Sequence, residues 1–384
     1  MPTVNKMRIL VMGATGYVGS RLVGALLNEG HDVVVASRNL ARLGDFGWFD
    51  DVTPVYLDAA DAESASSAFA VTGPVDLVYY LIHGIGQPGY RDADNRGATN
   101  LAGAAKAAGV RRIVYLGGFV PDDGELSEHL TGRAEVADAL SVEGGPEVVW
   151  LGAAMILGAG STSFELMRYI GDRFPVIPMP PWAANPMDPI SIRDVLYYLV
   201  AAADSDRVPA GGYDIHGSES TTYGELLLSY ARLTGQSRHG LPVPDIDMSL
   251  VSRVAGMIVP VPYGLAADLV ESLDHPMSAS GDGLSHLVPD PPGGLVGIDE
   301  AIVLSLSGGR ARPVDGLADP HHLADTDPGW AGGDVLRLRR LADRVTPPVA
   351  KPALGLLGLV PGPIAGAWRT SLDTLLGLAS KSAS

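Results

Sequence analysis

Residues 7–29 read Met-Arg-Ile-Leu-Val-Met-Gly13-Ala-Thr15-Gly16-Tyr17-Val18-Gly19-Ser-Arg-Leu-Val-Gly-Ala-Leu-Leu-Asn-Glu29. Met7–Met12 is an apolar run that predicts a buried strand. Val18, Leu22, Val23, Leu26 and Leu27 then recur at helical spacing over Tyr17–Glu29. Between strand and helix stand three glycines spaced Gly-x-x-Gly-x-x-Gly, one residue longer at the start than the commonest form of this turn. Gly13 permits a tight turn, Gly16 lets the backbone approach a pyrophosphate, and Gly19 lets the helix pack closely on the strand. The helix start offers free N–H groups and the positive end of its dipole to phosphates. A strand–turn–helix in this context is the fingerprint of a dinucleotide site. The plain alternative is a strand-to-helix turn with no ligand.

The alternation continues outward. Asp32–Ala36, Val52–Leu57, Val75–Ile82, Arg112–Gly117 and Val148–Leu151 are apolar, as buried strands are. Helical stretches lie between them near Asp61–Ala70, Arg91–Ala108 and Glu125–Val142. The pattern predicts an α/β fold: a parallel sheet with helices on both faces. At the end of the second strand an acidic residue would bind the ribose 2′-hydroxyl of NAD. Here the sequence is Ala36-Ser37-Arg38-Asn39, and a guanidinium suits a 2′-phosphate, hence NADP(H) over NAD(H). The alternative is a solvent-exposed arginine at a strand end. Asp58, closing the third strand, is placed for an adenine amino group or, equally, for a helix N-cap.

The chain has 384 residues, which predicts one large or two modest domains. Apolar residues are 46%, enough for a core. The net charge of −17 disfavours nucleic acid as a partner, because phosphates repel such a surface. The absence of cysteine excludes disulfides, iron–sulfur clusters, thiolate zinc sites and a cysteine nucleophile. The start shows no signal-peptide pattern and no stretch reads as a clean membrane span, so the expectation is a cytoplasmic protein.

Beyond residue 157 the rhythm loosens. Helices are expected near Phe164–Asp172, Val195–Ala203 and Thr222–Thr234, with a Pro- and Met-rich loop at Pro175–Pro181 and a short strand at Tyr213–Ile215. Residues 240–310 show few periods. Arg310–Gly333 reads as a linker or a surface-wrapping loop. Asp334–Val345 reads as a helix with Leu338, Leu341 and Val345 on one face and Arg337, Arg339, Arg340 and Arg344 around the rest. An uncharged segment, Pro352–Trp368, follows. Such a tail either docks on the chain itself or a second subunit, or lies on an anionic membrane surface. The division expected is 1–157 as the NAD(P)-binding domain, 158–309 as a substrate-side part partly interleaved with it, and 310–384 as a linker plus tail.

Gly13–Gly19, Arg38, Asp58, the block Asn95–Lys106 and the block Gly109–Gly117 together resemble the short-chain dehydrogenase/reductase superfamily. Tyr80–His83 and Ser127–Val136 are similar to segments of its atypical, NmrA-like members, and the resemblance covers roughly residues 7–305. It implies a Rossmann doubly wound sheet with a small C-terminal substrate-binding part, followed here by an additional tail. It also implies that Gly13, Thr15, Gly16, Tyr17, Val18 and Gly19 form the pyrophosphate loop, with Arg38 at the adenosine phosphate and Asp58 at the adenine. Leu81, Ile82, His83, Gly117 and Gly118 fall on the ribose and nicotinamide side.

Active members use a Ser, a Tyr and a Lys four residues after the Tyr, and this chain departs from that set. Its only lysines are Lys6, Lys106, Lys351 and Lys381, none of them four residues after a tyrosine. The serine position reads Gly117-Gly118. His129 stands where the tyrosine would be and Arg133 where the lysine would be. An imidazolium can donate a proton near neutral pH, and an arginine keeps a fixed charge near a ribose. Alternatively both residues simply pack on a helix face. His83, at the mouth of the cleft, is the second candidate acid or base. Tyr115 reads as core, and Asp188 and Asp194 as caps. His321-His322 with Asp319 and Asp325 is a weak metal pattern, so no metal is expected. The expectation is an NADP(H)-dependent oxidoreductase acting on a small or lipid-like apolar carbonyl or quinone. The rival is a non-catalytic module that senses NADP(H) or uses it structurally, at a membrane or a membrane complex.

Overall fold

The structure, a computed structural model, describes residues 6–84, 86–119, 128–244, 259–279, 283–334 and 336–337. Seven strands form one parallel sheet: β1 (Arg8–Met12), β2 (Asp32–Ser37), β3 (Thr53–Tyr56), β4 (Leu77–Tyr80), β5 (Arg112–Gly118), β6 (Glu147–Ala153) and β7 (Gly211–Ile215). Their spatial order is β7-β6-β5-β4-β1-β2-β3. The winding direction reverses between β1 and β4, which is where ligands bind in open α/β sheets.

Side chains alternate across the strands and build two cores. Ile9, Val11, Val33, Val35 and Tyr79 face one side and meet Leu22 and Leu26 of α1 (Tyr17–Asn28). Leu10, Val34 and Val78 face the other. There they meet α3 (Ala62–Thr72), α4 (Tyr90–Ala107) and α5 (Glu128–Leu140), the short α2 (Leu40–Leu43) having followed β2. The strands are buried on both faces, which is why they read as continuous apolar runs.

The remaining helices are α6 (Thr162–Arg173), α7 (Ile192–Ala201), α8 (Tyr223–Leu233), α9 (Tyr263–Glu271) and α10 (Ile298–Ser307). Helix α7 packs beside α1 under the sheet, while α6, α8 and α10 enclose a third core around Phe164, Leu226 and Ile302.

Several sequence expectations are corrected. Tyr213–Ile215 belongs to the edge of the main sheet, paired in parallel with β6, so the chain returns to the sheet after residue 157. The Pro175–Pro181 loop contains a strand, Val176–Met179, paired with His239–Pro242. Residues 240–310 contain α9 and α10. Asp188 and Asp194 are not caps. Ser191 caps α7, while Asp194 accepts the Val296 N–H at 2.9 Å and Asp188 accepts the Ala279 N–H at 2.8 Å. Of the two readings of Arg310–Gly333, the wrapping loop is the one the structure shows: the segment is strapped onto the body, with Leu323, Ala324 and Ala331 buried. Of the expected helix Asp334–Val345, positions 335 and 338–345 lie outside the described residues, as does the segment Pro352–Trp368. Among the described residues no helix is long and apolar enough to cross a membrane.

Candidate cofactor and substrate site

Register brings three strand ends level. Met12 is paired with Ala36 on one side and Tyr80 on the other, and the Leu81 N–H donates to the Met12 carbonyl at 3.1 Å. Gly13 follows with φ +83°, a left-handed conformation that suits glycine. A Cβ there would lie 2.6 Å from the Leu81 carbonyl oxygen, and one on Gly19 would lie 2.2 Å from the Gly13 oxygen. The turn is thus a cradle that side chains would fill. Gly16 precedes α1 and its N–H donates to the Gly13 carbonyl at 2.9 Å. No side chain caps α1, so its first N–H groups are left for an anion. These features fit a dinucleotide pyrophosphate.

The turn opens into a cavity of about 330 Å³. Gly13, Gly16, Tyr17, Val18 and Gly19 line one end, with Leu81, His83, Gly117, Gly118 and Arg133 beside them. The other walls are apolar: Met155, Met167, Trp182, Leu226, Leu269 and Met277. Thr15, Ile82, Arg38 and Asp58 lie off this cavity. Arg38 is exposed just past β2. Asp58 is half-buried and accepts the Ala60 N–H at 3.1 Å. The cap of α3 is Asp61, so Asp58 is not that helix's N-cap.

His83 lines the cavity; its side chain is solvent-accessible there, while the protein packed around the ring strips it of much of its hydration. Burial, and then the Arg133 cation, push its pKa far down, so the ring is neutral at pH 7. Arg133 also faces the cavity, and its Nε is buried with no hydrogen-bond partner among the described residues. The loop carrying His83 is held by Asp94, which accepts the Gly84 N–H at 2.9 Å. Burial raises the Asp94 pKa, while the Gly84 bond and Arg133 oppose the rise. His129 lies on α5, but its side chain is outside the described residues.

Tyr115 is core, as expected. It is fully buried, its hydroxyl donates to the Arg133 carbonyl at 3.4 Å, and its ring stacks on Trp150. That stack accounts for Gly117, where a Cβ would lie 2.5 Å from Trp150 Nε1. The superfamily's serine cannot stand there unless Trp150 shifts. His321 Nδ1 meets Asp319 Oδ1 at 2.6 Å, and no metal-holding group of three or more ligand-type side chains occurs among the described residues.

Sequence reading alone does not find most of the chamber. Ser161, Thr162 and Ser163 at the start of α6, Tyr223 on α8 and Leu265 and Leu269 on α9 all line it. The sequence signal of Tyr223, Leu265 and Leu269 is apolar spacing, which any packed helix shows, and Ser161–Ser163 read only as a polar helix start.

The family described as NAD(P)H-binding matches residues 13–140. A 3-diazoavenalumate denitrifying reductase from a Streptomyces species is 36% identical over 118 residues, which are 28% of this chain and 36% of that protein. The match therefore spans about a third of that reductase's length. Sterol demethylase protein B of Methylococcus capsulatus is 28% identical over 267 residues, 62% of this chain and 78% of that protein. Among solved structures, a nucleoside-diphosphate-sugar epimerase from Staphylococcus aureus superposes with a TM-score of 0.62 at 18% identity, covering 77% of this chain and 99% of its own, a likeness of fold. The family match over residues 13–140, a third of the chain, identifies an NAD(P)H-binding segment, and the seven-stranded parallel sheet built on its glycine turn has the Rossmann order.

Proposed function

We propose that the chain is an NADP(H)-dependent oxidoreductase acting on the carbonyl of an apolar molecule, a ketone, aldehyde or quinone. One observation carries this reading: the glycine turn and the apolar chamber are walls of the same cavity. The nicotinamide, when bound, supplies the hydride that with one proton converts C=O to CH–OH and leaves the oxidised cofactor. Arg38 favours the 2′-phosphate, Asp58 the adenine, and Leu81, Ile82, Gly117 and Gly118 the ribose and nicotinamide side. Arg133 holds a fixed positive charge toward the cavity, suited to the oxyanion that develops on a reduced carbonyl. A neutral His83 can orient that oxygen through an N–H but brings no imidazolium proton at neutral pH. His129 is the remaining candidate donor. Sterol demethylase protein B is named for an apolar substrate class, in keeping with these walls.

A second reading, a non-catalytic NADP(H) sensor, is favoured by the steric block at Gly117. NADPH oxidation with a panel of apolar ketones, aldehydes and quinones separates the two. An enzyme turns over at least one acceptor and loses roughly 10²-fold in kcat in Arg133→Ala. A sensor binds NADPH and turns over none.

A further inference from the structure

We propose that Tyr223 positions the substrate: its hydroxyl holds a second, uncharged oxygen at the end of an apolar molecule remote from the reacting carbon. The proposal rests on the chamber being the substrate site, as argued above.

Tyr223 is the first residue of α8, and the helix start is fixed by Thr222, whose hydroxyl accepts the Glu225 N–H at 3.2 Å. The next residue, Gly224, allows a close approach to the wall below. A Cβ there would lie 2.9 Å from Met179 Sδ and 3.2 Å from the Ala183 carbonyl oxygen. Tyr223 is thereby held against the chamber it lines.

Neighbouring tyrosines have their hydroxyls engaged. Tyr230 donates to Asp172 at 2.9 Å, Tyr169 to the Trp330 carbonyl, and Tyr79 to the Leu199 carbonyl at 2.8 Å. The Tyr17 and Tyr80 hydroxyls lack partners but are sealed in protein. Tyr223 differs from both groups. Its hydroxyl bonds to no described residue and is not among the sealed atoms, and the residue lines the cavity. Burial alone raises its pKa, with no charged neighbour contributing.

Apolar walls attract without direction. A long apolar molecule could enter such a chamber either way round, and one hydrogen bond at the far end selects the orientation. A phenol both donates and accepts, so it suits a hydroxyl or a carbonyl. A carboxylate would be stripped of water with no countercharge beside Tyr223. The class indicated is a neutral carbonyl compound with an apolar body and a second oxygen at its other end.

The test is calorimetric titration of the full chain, in excess NADP+, with decan-2-one and with 10-hydroxydecan-2-one, in wild type and Tyr223→Phe. NADP+ is titrated into the same preparations. The expected result is that the hydroxyketone binds roughly 3- to 10-fold tighter to the wild type. Tyr223→Phe should erase that preference and leave decan-2-one unchanged. A preference that survives Tyr223→Phe, or none in the wild type, overturns the proposal. If NADP+ binds and neither ketone does, the proposal falls together with the apolar-carbonyl reading. If NADP+ fails to bind while a Tyr223-dependent hydroxyl preference is present, the cofactor reading falls and the role of Tyr223 stands.

Discussion

Arg21 and Asp327 lie 306 residues apart and form a buried, two-pronged ion pair, with Arg21 Nη1 and Nη2 donating to Asp327 Oδ1 and Oδ2 at 3.0 and 2.8 Å. Arg21 also donates to the carbonyls of Pro320 and His322, and its guanidinium lies 4.0 Å over the ring of Tyr17, a residue of the glycine turn. A second buried pair, Arg173 with Asp334, fastens the end of the same strap. The strap thus buttresses, from behind, the helix whose start forms the cofactor turn. Removing one partner leaves an uncompensated buried charge.

Asp327→Ala is therefore expected to lower stability by about 3–5 kcal/mol. Arg21→Met combined with Asp327→Leu should recover a good part of that loss, because neither charge is then stranded. Urea unfolding of the two variants and the wild type checks this. Equal losses in the single and double variants would show that the pairing is not what matters.

The glycine turn predicts a steric effect. Gly19→Ala should abolish NADPH binding, since its methyl group would meet the Gly13 carbonyl. Gly103→Ala, on α4, where a Cβ meets nothing within 4 Å, should bind as the wild type does. Calorimetry with NADPH, beside a urea midpoint for each variant, distinguishes a lost site from a lost fold.

Asp194 gives a pH-dependent expectation. It is fully buried, and burial raises its pKa to about 6, only partly offset by the Val296 N–H and Arg193. Its Oδ1 has no hydrogen-bond partner among the described residues. The folded-state pKa lies above the unfolded value, so ionisation opposes folding increasingly as pH rises from about 4 to 6 and fully above that. Asp194→Asn, which keeps an acceptor for Val296, should gain stability relative to the wild type across that window. Urea midpoints at pH 4 and pH 7.5 test it, and a difference that does not change with pH would contradict it.

The loop that carries His83 depends on Asp94. Asp94→Ala frees the Gly84 N–H and should weaken NADPH binding several-fold, in line with the loss of one charge-assisted hydrogen bond. Asp94→Asn, which keeps an acceptor, should bind closer to the wild type. Calorimetric titration of both variants is the measurement.

What the sequence discloses is local. Gly13, Gly16 and Gly19 stand within one strand–turn–helix, so spacing alone indicates their steric roles. Tyr115 reads as core because it sits inside an apolar strand. The chamber is illegible for the opposite reason: α6, the Pro181–Ala184 turn, α8 and α9 come from separate stretches, and only packing brings Met167, Trp182, Leu226 and Leu269 together. The strap is illegible because nothing local distinguishes Asp327 from a surface aspartate in a Pro- and Gly-rich run. The strand Val176–Met179 is masked by Pro178, which lacks the N–H that most strand residues use.

An NADP(H) site formed by the turn after β1 and the arginine after β2 has a direct consequence for binding. Calorimetric titration of the wild type and Arg38→Ala with NADPH, NADP+ and NADH tests it most directly. Tight NADPH binding by the wild type is expected, with a loss of about 10- to 100-fold in Arg38→Ala and no change for NADH. Failure of the wild type to bind any of the three dinucleotides would contradict it.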